Sequence, residues 1–188
     1  MQTDKPALYG LVLEGGLSSR MGKNKAYLTY HKRPQREHAF GLLEKFCHRV
    51  YYSAGKQAPP DGHTIVDAFP FQGPLNGILS AFKRYPGVAW LTLPVDMPLV
   101  DEGVIRFLVA HRDAAKAATC FYDTEGKLPE PLVTIWEPHA PLPTFYAKGK
   151  TSPREFLMGT NANLLHIPSK MALKNINTPE DFKGFFEH

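Results

Sequence analysis

Glycines, hydroxyls and cations crowd into one short stretch of this sequence, Leu13-Glu14-Gly15-Gly16-Leu17-Ser18-Ser19-Arg20-Met21-Gly22-Lys23-Asn24-Lys25. Glycine permits a tight backbone path and lets main-chain N–H groups approach phosphate oxygens that a side chain would hold off. Arg20, Lys23 and Lys25 can neutralise such a group. Two familiar phosphate loops do not fit. A Walker loop needs G-x-x-x-x-G-K-[ST], whereas Gly16 and Gly22 enclose five residues and Asn24 stands where a hydroxyl is required. The dinucleotide pattern G-x-G-x-x-G is absent as well. The chemistry left open is phosphate binding by a loop of another kind, and its plain rival is a basic surface turn between strand and helix.

Phosphate transfer also needs an oxygen ligand for a hard cation, since Mg²⁺ prefers carboxylates and keeps waters and phosphates as its other ligands. Asp96 is the leading candidate, because Trp90-Leu91-Thr92-Leu93-Pro94-Val95-Asp96-Met97-Pro98 is an apolar strand that ends in an acid. Open α/β sheets place ligands at the carboxyl ends of their strands. The alternative is a turn or helix-initiating aspartate. Asp67, after Ile65-Val66 and before Gln72-Gly73-Pro74-Leu75-Asn76-Gly77, is a second acid at a strand end, or a turn former. The eight histidines are scattered and form no metal-ligand pattern.

The elements that must position these residues follow from apolar runs. Runs at 9–13, 49–53, 63–66, 89–93, 117–122 and 132–136 read as strands, and their continuity predicts parallel strands covered on both faces. Helical spacing occupies 37–46, 75–82, 104–111 and 154–158. The alternation predicts an α/β three-layer sandwich with a mostly parallel sheet. Pro74 suits the first turn of the second helix and Asp101 suits the cap of the third. Thr178-Pro179-Glu180-Asp181 predicts a capped final helix to about residue 186. The proline-rich stretches near Pro59, Pro131 and Pro141 read as loops.

At 188 residues the chain suits a single domain over 1–188, with no linker and no repeat. Twenty-two Lys and Arg against eighteen Asp and Glu give +4, which favours anionic partners but lacks the strength of a nucleic-acid binder. Cys47 and Cys120 lie far apart, outside any zinc or disulfide framework. The N-terminal segment is too interrupted for a secretory signal, and no apolar stretch reaches the length of a membrane span. The expectation is a cytoplasmic protein that is a monomer or weak oligomer, with no nucleic-acid or membrane partner.

The pattern L-x-G-G-x-S-x-R-M-G-x-x-K resembles the signature of nucleotidyltransferases with the Rossmann-like, glycosyltransferase-A type fold, and in particular the molybdenum cofactor guanylyltransferases, a MobA-like family. Three further elements are similar to the same family in the expected order: Asp67 with Gly73-Pro74-Leu75, Asp96-Met97-Pro98, and Asn175-Ile176-Asn177-Thr178-Pro179-Glu180-Asp181. The resemblance implies transfer of GMP from GTP onto molybdopterin with release of pyrophosphate, and Mg²⁺ as cofactor. It implies catalytic roles for Arg20, Lys25 and Asp96, with Asp96 as metal ligand. Leu13, Glu14, Gly15, Gly16, Ser18, Arg20, Lys25, Ser53, Asp67 and Asp96 would bind the nucleotide. Arg154, Asn175 and Asn177 would meet the second substrate or the metal, with a solvated helix start as the rival reading of Arg154. Gly73 and Gly77 serve either packing or ligand contact. The stretch Leu128-Pro129-Glu130-Pro131-Leu132 resembles a strand approach to the pterin.

Two positions depart from the family. Glu14 replaces its usual alanine, and Asn24 replaces the acid before the lysine. A carboxylate beside a triphosphate repels it unless it faces away or meets a cation. Ser53 stands where guanylyltransferases often carry asparagine. The alternatives left open are a cytidylyl or sugar-phosphate nucleotidyltransferase of the same fold, and a nucleotide-binding protein that has lost the chemistry.

Overall fold

The computed structural model describes residues 5–14, 29, 33–55 and 62–176. Along the chain run β1 (Leu8–Leu13), α1 (Gln35–Glu44), β2 (Arg49–Ala54), β3 (Thr64–Val66), α2 (Pro74–Arg84) and β4 (Ala89–Pro94). There follow α3 (Glu102–Ala110), β5 (Ala118–Tyr122), β6 (Pro129–Trp136), α4 (Leu142–Ala147), α5 (Pro153–Met158), β7 (Asn163–Leu165) and a 3₁₀ turn at Lys170–Leu173. The predicted final helix lies outside the described residues.

The strands form one seven-stranded sheet in the order β3-β2-β1-β4-β6-β5-β7. β1 pairs parallel with β2 and β4, and β2 with β3. Helices cover both faces, which is why β1 and β4 read as unbroken apolar runs. On one face Val12, Leu91, Leu93 and Val133 pack with Ala39, Leu42 and Leu43 of α1 and Ile105 and Leu108 of α3. On the other, Leu11, Leu13, Trp90 and Trp136 pack with Leu75, Ile78 and Leu79 of α2, Leu142 of α4 and Phe156 and Leu157 of α5. The three-layer sandwich with a mostly parallel sheet is therefore as expected.

Local stop and start signals act as their chemistry dictates. Pro74 opens α2, where its missing N–H is not needed. The Asp101 carboxylate accepts from Val104 N at 2.9 Å and caps α3.

Two expectations are corrected. The run 132–136 was expected to be parallel, yet β6 is antiparallel to both β4 and β5. Apolar continuity reports burial on both faces, which a central antiparallel strand shares, and carries no information on direction. Pro131, expected in a loop, lies inside β6. Its missing N–H is tolerated because the β5–β6 register shifts between Cys120 and Tyr122, and the β4–β6 ladder spans only residues 134–136 of β6. Pro141 lies in the loop just before α4, as expected, and is its N-cap, where its fixed φ suits a helix start. Pro59 lies outside the described residues, and β7 carried too short an apolar signal to be predicted.

Among the described residues no helix is long and apolar enough to cross a membrane. Cys47 and Cys120 are both free thiols, and burial pushes each up to about 12.

Candidate functional site at the carboxyl edge of the sheet

Parallel pairing aligns Leu13 with Ser53 and Pro94, and Ser53 with Ile65, so β1, β2, β3 and β4 end together. Their exits are pinned to one another. Val95 N donates to Leu13 O at 3.1 Å, and Asp67 N donates to Ala54 O at 3.0 Å. Glu14, Ser53, Asp67 and Asp96, which are far apart in sequence, thereby share one edge. β6 enters the sheet from that edge because it is antiparallel, which adds Glu130 to the group.

Asp96 follows β4 in a turn, half-buried, with its Oδ1 shielded from solvent. Its carbonyl accepts from Ile176 N at 2.8 Å. That bond draws the distant C-terminal segment to the end of β4 and sets Asn175, which is exposed, one residue from the contact. The end of β4 and the segment that carries Asn175 are thus joined through the backbone of Ile176. A carboxylate and an amide oxygen are the donor chemistry Mg²⁺ takes, and it needs few protein ligands because phosphates and water complete its shell. No cluster of three or more His, Cys, Asp or Glu suited to a metal exists among the described residues.

Ser53 closes the floor of this edge. A Cβ on Gly77 of α2 would overlap the Ser53 hydroxyl, so glycine at 77 is required for α2 to approach β2. Gly73 has φ of 116°, a conformation that favours glycine, and caps α2. Beyond Asp67 the loop is fastened to α2 by the buried Asn76. Its Oδ1 accepts from Phe69 N at 3.2 Å and its Nδ2 donates to Phe69 O at 3.0 Å and Phe71 O at 2.5 Å. Ser80 Oγ accepts from Ala68 N at 2.9 Å and donates to Asn76 Oδ1 at 3.1 Å. Asn76 therefore positions the exit of β3, a role that the motif around it did not reveal.

Glu14 meets a cation. Its Oε1 is 2.8 Å from Arg36 Nε in the first turn of α1, and both side chains are largely buried. The Arg36 guanidinium also lies 4.2 Å from the centre of the Tyr52 ring on β2. Burial pushes the Tyr52 phenol up, and Arg36 opposes that shift.

Glu130, which no motif singles out as a site residue, is the most buried acid among the described residues of this edge, with 8% of its side chain exposed. Its Oε1 accepts from Leu132 N at 2.9 Å, and Arg154 NH2 approaches Oε2 only to 3.8 Å. Burial pushes its carboxyl up, the Leu132 N–H and Arg154 oppose this, and the charges of Asp96 and Asp123 add to it. Arg154, on the first turn of α5, is thus beside Glu130 and partly exposed. Asp123, after β5, is held below the usual carboxylate range by the N–H of Lys127 and neighbouring backbone donors. The described part of the edge is rich in acids, and Gly15, Gly16, Ser18, Arg20, Lys25 and Asn177 lie outside the described residues.

A family model described as the MobA-like NTP transferase domain matches residues 10–163. The chain is 35% identical over 183 residues to a molybdenum cofactor biosynthesis bifunctional protein of a Synechocystis species, a match that covers 93% of this chain and 52% of that protein. It spans, then, about half the length of that relative. It is 28% identical over 195 residues to a molybdenum cofactor guanylyltransferase of Pseudomonas entomophila, covering 96% of this chain and 98% of that one. The structure of molybdopterin-guanine dinucleotide biosynthesis protein A from Archaeoglobus fulgidus superposes with a TM-score of 0.72 at 22% identity, over 94% of this chain and 95% of that chain. At that identity the likeness concerns the fold alone.

Proposed function

This chain belongs to the MobA-like NTP transferase family, and from that premise we propose that it moves GMP from GTP onto molybdopterin, releasing pyrophosphate, in the cytoplasm as a monomer or weak oligomer. The observation that carries the reading is the bond from Ile176 N to Asp96 O at 2.8 Å, which joins two separate family elements at one edge of the sheet. Near-full-length similarity to a guanylyltransferase supports the choice of GTP and molybdopterin as substrates.

In this mechanism the terminal phosphate of molybdopterin attacks the α-phosphorus of GTP in line. A phosphate oxygen to α-phosphorus bond forms as the bond to the bridging oxygen of the β-phosphate breaks, and pyrophosphate leaves with that electron pair. Leu13, Ser53 and Asp67 hold the nucleoside side at the ends of β1, β2 and β3. Gly15, Gly16 and Ser18 approach the phosphates closely, while Arg20 and Lys25 stabilise charge that grows in the transition state. Asp96 would hold Mg²⁺, with Asn175 and Asn177 as further candidate ligands, and the ion would supply charge neutralisation to the phosphates. Arg154 offers the acceptor phosphate a cation. Glu14 is no obstacle to the nucleotide, because Arg36 offsets its charge.

Pyrophosphate release is the test, measured with GTP, CTP and other triphosphates, with and without Mg²⁺, against molybdopterin and a sugar 1-phosphate. The expected outcome is Mg²⁺-dependent release that is fastest with GTP and molybdopterin. Release with CTP alone would move the base assignment to cytosine. Nucleotide binding without any turnover would sink the proposal.

A further inference from the structure

The pair between Glu14 and Arg36 sits at a telling place in the chain. Glu14 is the first residue past β1, and Arg36 is the second residue of α1. The whole segment from Gly15 to Gln35, which carries the glycines and cations of the phosphate motif, runs between these two partners. The pair therefore ties together the two ends of that segment.

Arg36 is an unusual choice for its position. The start of a helix carries partial positive charge, so a cation in the first turn is disfavoured there. The helix's own cap residue, Pro34, offers no side-chain acceptor. The first turn has its own acid in Glu37, and Glu14, just past the neighbouring strand, supplies the carboxylate that pairs with the guanidinium. The guanidinium is further fixed by the face of Tyr52, whose ring stacks on Phe40 of α1 at 4.8 Å. With side-chain exposures of 20% and 17%, Arg36 and Glu14 are screened far less than a surface pair. Three elements, β1, β2 and α1, converge on one cation.

We infer that Glu14 and Arg36 are positioning residues for nucleotide binding, their ion pair setting the spacing between the exit of β1 and the entry of α1 and so the frame on which the phosphate-binding segment is strung. The inference rests on the reading of the chain as a GTP-dependent transferase. It also makes an opposite prediction from the simple electrostatic one. A carboxylate that merely stood near the triphosphate would repel it, and its removal would tighten binding; a carboxylate that holds Arg36 in place would loosen binding when removed.

The experiment measures GTP affinity by titration in Mg²⁺, together with KM and kcat for pyrophosphate release, for wild type, Glu14→Gln, Arg36→Gln, the double variant, and the exchanged pair with Glu14→Arg and Arg36→Glu. Each single change is expected to weaken GTP binding about tenfold, with the larger part of the loss in KM. The double variant is expected to be no weaker than the weaker single one, and the exchanged pair to recover part of the loss. Glu102→Gln, which breaks the exposed contacts to Lys45 and Arg106, is the control and should leave GTP affinity unchanged. Glu14→Asp serves if Glu14→Gln does not fold, and it is expected to bind GTP more weakly than wild type. Equal or tighter binding by Glu14→Gln or Glu14→Asp, or losses that multiply in the double variant, would overturn the inference while the functional reading stood. A wild type that neither binds GTP nor releases pyrophosphate would overturn both.

Discussion

The two edges of the sheet carry their buried charges in different ways. At the amino edge, where β6 ends, the Arg112 guanidinium donates to both oxygens of Glu137, Nε to Oε1 at 2.6 Å and NH2 to Oε2 at 2.8 Å. The Arg112 carbonyl accepts from Lys5 Nζ at 3.0 Å, and the pair is closed off from solvent. At the carboxyl edge Glu130 is nearly as buried, yet its cation stands at 3.8 Å and two other acids push on it. The contrast separates a charge pair that completes itself from an acid-rich edge suited to cationic and phosphate ligands. Buried ions that are fully answered by one another belong to the scaffold, whereas loosely answered ones mark the place where binding changes the electrostatics.

Breaking the closed pair should have the largest effect. Arg112→Ala strands the Glu137 carboxylate and is expected to cost about 3–5 kcal/mol in urea unfolding, with GTP affinity unchanged in the folded fraction. A loss below about 1 kcal/mol would remove the distinction between the edges. Asp96→Asn is the counterpart at the other edge, expected to slow pyrophosphate release at least roughly 100-fold with little change in unfolding. Comparable loss of stability and activity would mean that Asp96 serves the fold. Asn76→Ala, which orphans the backbone groups of the loop after Asp67, is expected to cost about 1–3 kcal/mol and to raise KM for the nucleotide. An unchanged KM would detach that loop from the site.

The smallest effect sharpens the comparison through pH. Burial lifts the Glu130 carboxyl above its ordinary 4.5, so the folded chain holds that proton more tightly than the unfolded chain does. The contribution is fully present below 4.5 and is lost as pH rises through the lifted folded value. Unfolding of wild type and Glu130→Gln, compared from acid to neutral pH, should therefore show wild type losing ground to the variant as pH rises. Parallel profiles would place Glu130 in an environment no different from water.

Much of this site is readable in one dimension. The apolar run before Glu14, the apolar run that ends at Asp96, Pro74 opening a helix and Asp101 capping one are all short-range signals, set by residues within a few positions of one another. That is why the strands, the layers and the acids at strand ends can be named before any coordinates exist. Gly77 was recognised as part of a motif, but only the Ser53 hydroxyl facing it shows why a side chain is forbidden there.

What the tertiary structure decided is direction and partnership. β6 has the composition of any covered strand, and its antiparallel course follows from the connections around it; that course alone brings Glu130 to the edge where Asp96 lies. Glu14, as a lone acid in a phosphate motif, argues against binding in the sequence, and the fold reverses the argument by placing Arg36 against it. Likewise the Asn175 segment is tied to Asp96 by the bond from Ile176, a contact between residues far apart in sequence. Secondary structure answers to neighbours along the chain, whereas the charge a residue feels answers to neighbours in space, and those exist only once the sheet has formed.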